Sequence, residues 1–69
     1  MSINEFKEII VNSNVELKGE LAAEKTMAEN GVDSLDLTLI SYELSDVTGR
    51  EITLHTGQTP NQILDMVNS

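Results

Sequence analysis

The sequence predicts an all-α fold, a small bundle of three to four helices in up-down order. Three observations predict it. Apolar residues recur at helical spacing in three separate segments. Two of those segments open on a Ser/Thr-x-x-Glu/Gln capping box, and the third opens on adjacent Asp and Ser. The chain has no cysteine and one histidine, His55, so no disulfide or His/Cys metal site can staple it. Its 69 residues make a single domain, 1–69, that must be held by helix packing alone.

The first helix begins after Ser2, with Glu5 closing the box. Ile3, Phe6, Ile9 and Ile10 share one face, Lys7 and Glu8 lie on the other, and Asn12-Ser13-Asn14 ends the helix. Residues 15 to 33 are less regular. Propensity favours helix over Glu20 to Glu29, but Gly19 and Gly31 bound the stretch. At most a short helical segment is expected there, with Leu21 and Met27 pinning it to the core and Gly31 at a helix end or tight turn. The second helix runs from about Ser34 to Thr48 and stops at Gly49. Either Asp33 or Ser34 can cap it. If Asp33 does, Asp36 falls at the third helical position, and both acids complement the positive end of the dipole. Ile52 and Leu54 follow in an extended or turn segment. Thr59-Pro60-Asn61-Gln62 then reads as N-cap, proline at the first position and a closing glutamine. Ile63, Leu64 and Val67 supply the apolar face of that last helix.

Twelve acidic and four basic residues give a formal charge of −8 and a pI near 4.2. Such a surface repels nucleic acid and anionic lipid; taken alone it reads as a means of solubility, and beside Ser34 it would steer toward basic protein surfaces. It also makes the compact state self-repelling, so mild acidification and added salt should stabilise it. No apolar run is long enough to span a bilayer. Met1-Ser2-Ile3-Asn4-Glu5 lacks the basic and apolar regions of a signal peptide, which points to a cytoplasmic protein.

Gly31-Val32-Asp33-Ser34-Leu35 is the most informative stretch. An Asp-Ser-Leu triplet at a helix start, with a glycine just ahead, resembles the attachment signature of the acyl carrier protein family. The likeness extends to the order helix, long loop, helix, short connection and Thr-capped last helix, and to Glu51-Ile52 after the second helix. It implies a bundle of acyl-carrier-protein type, expected to be a monomer, with 4′-phosphopantetheine carried covalently on Ser34. It implies as partners a phosphopantetheinyl transferase and acyl-loading, acyl-transfer or condensing enzymes with basic docking surfaces. Three positions depart from the family pattern. Asn30 stands where many members have leucine, Thr26 and Met27 stand near where a phenylalanine is common, and the stretch from Ile52 to Thr59 is short. The family's small third helix falls in that stretch, hence the expectation of three to four helices. These departures suggest a specialised carrier rather than that of housekeeping fatty acid synthesis.

A carrier needs a hydroxyl that a transferase can reach, and a helix N-terminus presents one. The free N–H groups there favour a phosphodiester. Projecting the second helix at 100° per residue puts Leu37, Ile40, Leu44 and Val47 on one side, the core face. Leu35, Leu39 and Tyr42 fall nearly opposite, with Asp46 beside them and Glu43 at the margin. A surface helix with two apolar stripes has one to spare. With Asp33 and Asp36, the second stripe reads as a docking surface with an acidic rim. The alternative is that the loop at 15 to 33 folds over Leu35 and Leu39. No base, orienting acid and oxyanion hole accompany a nucleophile, so no catalysis is expected. His55 is read as a solvated loop residue, the three methionines as core filler, and Arg50 as a partner for the C-terminal dipole of the second helix. Two other functions fit the same residues. One is an aminoacyl, peptidyl or D-alanyl carrier on the same arm; the other is an unmodified acidic helical interaction module.

Overall fold

The computed structural model describes residues 1–17 and 19–69. Among them are three helices and no strand: α1 (Ile3–Asn12), α2 (Ser34–Thr48) and α3 (Pro60–Asn68). The short fourth helix is absent, because residues 51–59 form an extended run and one turn. Helix α1 packs against both α2 and α3.

Each helix starts where its side-chain chemistry satisfies orphan amides. Ser2 Oγ accepts from the Glu5 amide at 3.3 Å, and Glu5 Oε1 accepts from the Ser2 amide at 3.1 Å. The Ser2 amide foremost, and the Ser2 hydroxyl after it, hold the Glu5 carboxyl below the usual carboxylate pKa. Thr59 and Gln62 close the same box at 3.1 and 2.9 Å, with Pro60 at the first helical position. Asp33, not Ser34, caps α2: its Oδ1 accepts from the Asp36 amide at 2.8 Å. Helix α1 ends through Asn14, whose φ of 62° turns the chain so that Val15 donates back to the Ile10 carbonyl. Helix α2 ends at Gly49, with φ of 70°.

One core joins all parts. Phe6, Ile9 and Ile10 of α1 meet Leu37, Ile40 and Leu44 of α2 and Ile63 of α3. Val15, Leu21, Met27, Val32, Ile52 and Leu54 fill it from the connections, and Ile3, Leu17, Leu64 and Val67 pack at its edge. Three expectations need correction. Val47 is exposed: it lies at the edge of the core face in the last turn of α2. Only Met27 is fully buried; Met1 packs at the margin and Met66 is exposed. Arg50 does not serve α2; its guanidinium donates to the Val67 carbonyl at 2.6 Å, at the C-terminal end of α3.

The segment from Glu20 to Glu29 is not a helix, despite its propensity. Thr26 and Glu29 form a third reciprocal capping box, with bonds of 2.9 and 3.1 Å, but the turn it opens closes at once. Gly31, at φ 86°, reverses the chain. Gly31 donates to the Ala28 carbonyl and Val32 to the Met27 carbonyl, the bond pair of a Schellman stop. The Met27 and Ala28 amides, orphans of this turn, donate instead to the Gln58 and Thr56 carbonyls. The turn is thereby fastened to the segment before α3.

Candidate functional site

The Schellman stop ends at Val32, which is buried, and the chain leaves the core through Asp33 into α2. That short path fixes Ser34. With Asp33 at the cap, Ser34 is the first helical residue and is exposed. Its hydroxyl is free of the capping role that serine most often has at a helix start. The amides of Ser34 and Leu35 have no intrahelical acceptor, since the Leu37 amide is the first to find one, at Asp33. An esterified hydroxyl here would therefore meet two free donors and the positive end of the dipole. The donor set fits a phosphodiester. Asp33 and Asp36 add negative charge close by and fit a basic visitor instead.

Leu35 and Tyr42 are 75% and 71% exposed and Leu39 is 46% exposed, so the connection before α2 does not cover them. Asp33 and Asp46 are exposed, while Asp36 and Glu43 are half-buried at the stripe's edge. All seven residues singled out with Ser34 thus lie on the accessible part of α2 and its cap.

A further feature was not foreseen from the sequence. Ser34 lies at the rim of an open groove of about 910 Å³ between α2 and the segment from Arg50 to Thr56. Thr38, Ser41 and Ser45 line its α2 wall, and the Ile52 amide donates to Ser45 Oγ at 3.0 Å, tying the two walls together. Tyr42 and Asp46 belong to both the groove and the stripe. The signal was present as hydroxyl residues at positions 34, 38, 41 and 45, one helical row. His55 is exposed on the far wall.

Among the described residues no cluster of three His, Cys, Asp or Glu side chains could hold a metal ion, and no helix is long and apolar enough to cross a membrane. No family model, curated protein or solved structure matches the chain.

Proposed function

We propose that this chain is a carrier protein of the acyl-carrier type, modified on Ser34 with 4′-phosphopantetheine and without catalysis of its own. When bound, that group supplies a thiol on a flexible arm, on which cargo is held as a thioester for partner enzymes. The observation that carries the reading is the release of Ser34 from capping. Asp33 takes the cap, leaving an exposed hydroxyl at the first position of α2 beside two free amides. The exposed stripe of Leu35, Leu39 and Tyr42, with Asp33, Asp36, Glu43 and Asp46 around it, serves a transferase and cargo-handling enzymes with basic surfaces. The groove gives the arm a wall to rest on between visits, with hydroxyls of Ser41 and Thr38 beside the apolar side chains of Leu37, Ile52 and Leu54.

Incubation with coenzyme A and a phosphopantetheinyl transferase of broad specificity tests this. The intact mass should rise by one phosphopantetheine in the natural sequence and stay unchanged in Ser34→Ala, with equal helical circular dichroism. An unmodified interaction module would gain no mass under those conditions. An aminoacyl or D-alanyl carrier would gain the arm, and would then accept an amino acid rather than an acyl group from its loading enzyme.

A further inference from the structure

Asn30 is the only asparagine in the chain followed by glycine. Glycine offers the least steric hindrance to attack by its own backbone nitrogen on the preceding side chain. In the structure both reacting groups are occupied. The Asn30 carboxamide accepts from the Ala22 amide at 2.8 Å and donates to the carbonyls of Ala22, Lys25 and Thr26 at 3.1, 3.2 and 3.0 Å. The Gly31 amide donates to the Ala28 carbonyl at 3.0 Å. Asn30 therefore plugs the loop from Ala22 to Thr26, and the Schellman stop engages the N–H of the would-be nucleophile.

We propose that Asn30 is a site of spontaneous deamidation gated by the fold: closed while the plug is in place, open whenever the segment from Ala22 to Val32 detaches. In the open chain the Gly31 nitrogen loses its proton to solvent base and attacks Asn30 Cγ. A C–N bond forms and ammonia leaves, giving a cyclic imide. Water then opens either carbonyl of the ring, yielding aspartate or isoaspartate. The net change is one water in and one ammonia out, with no oxidant or cofactor. The product cannot restore the plug. A carboxylate at this position faces three carbonyl oxygens where the amide donated. Isoaspartate also adds a methylene to the backbone that positions Val32, Asp33 and the start of α2. The modification thus works as a one-way record of loop opening, next to the residues that place Ser34. It does not depend on whether Ser34 is modified.

The full chain is incubated at mildly alkaline pH, folded and in urea, and followed by intact mass and peptide mapping. The urea sample should gain the mass of an amide-to-acid exchange first at Asn30, and the folded sample on the order of a hundredfold more slowly, since reaction requires local opening. Met27→Ala, which hollows the turn, should speed the reaction in native buffer whether it loosens or unfolds the loop. The modified chain should melt below the unmodified one, near Asn30→Asp. Equal rates in the folded and urea samples would overturn the gating. So would a Met27→Ala chain that is less stable but no faster. First modification at another asparagine would overturn the site.

Discussion

Replacing Asn30 by alanine should destabilise the domain by about 2 kcal/mol, although the residue is only half-buried. The Asn30 amide nitrogen has two hydrogens shared among three carbonyls, and its oxygen takes one amide, so about three independent bonds are lost. At roughly 1 kcal/mol net each the ceiling is about 3 kcal/mol. Water can reach part of the site and replaces some of that, which brings the figure to about 2 kcal/mol. In a domain of this size each kcal/mol moves Tm by about 4–8 °C, so the melt should fall by roughly 8–16 °C. Thermal and urea denaturation followed by far-UV circular dichroism measures this. Asn4→Ala on the exposed side of α1 is the control, expected within about 0.5 kcal/mol. A fall of less than roughly 3 °C for Asn30→Ala would mean that water substitutes for the side chain and that the plug is not what holds the loop.

Tyr42→Asp should alter stability by less than about 1 kcal/mol, because its side chain is largely outside the core. Leu39→Asp, at a side chain about half-buried, should alter it by about 1–2 kcal/mol. Both should nonetheless slow transferase-catalysed loading; unfolding by either would assign that residue to the core. Gly49→Ala should cost about 1 kcal/mol, from the left-handed backbone alone, since a Cβ there meets open space; a loss nearer zero in urea titration would refute the strain. Added salt should raise Tm, because one ion pair, Lys7–Glu20 at 4.0 Å, stands among the described residues against twelve acids. Stability should also rise as pH falls from 7 toward 5, as self-repulsion eases. It should fall further down. The backbone amides of Ser2 and Thr26 foremost, by donating to the carboxylates, hold Glu5 and Glu29 below the usual carboxylate range. Groups with lowered folded pKa contribute stability above their unfolded pKa and lose it as pH drops through the folded value. A Tm that declines steadily from pH 7 and ignores salt would contradict the repulsion argument.

What was legible in the sequence is what local chemistry decides. The boxes at Ser2 and Thr59, the stop at Gly49 and, apart from Val47, the two faces of α2 follow from residue type and spacing, and the structure agrees with these. The choice of Asp33 over Ser34 as cap was open, since both side chains can accept the same amide. The box at Thr26 and Glu29 was written in the same code as the other two. It was hidden because a helix-favouring composition suggested a longer element than the stop at Gly31 permits. Other features depend on which segments meet, which spacing does not report. Arg50 is adjacent to the end of α2 in sequence but reaches α3 in space. Val47 has the periodicity of a core residue but lies exposed in the last turn of its helix. Asn30 differs from a common residue of the resembled family, and only the fold gives it four backbone partners on the preceding loop.

The proposed carrier role stands on one bond, a phosphodiester joining a phosphopantetheine arm to the Ser34 hydroxyl that Asp33 frees from capping. Tandem mass spectrometry of the chain after reaction with coenzyme A and transferase tests it most directly, by locating the added mass on a peptide that contains Asp33-Ser34-Leu35. The expected result is complete modification confined to Ser34, with the arm released as its characteristic fragment. An unmodified Ser34 under conditions that fully load a control carrier, or the added mass on any other residue, would contradict the claim.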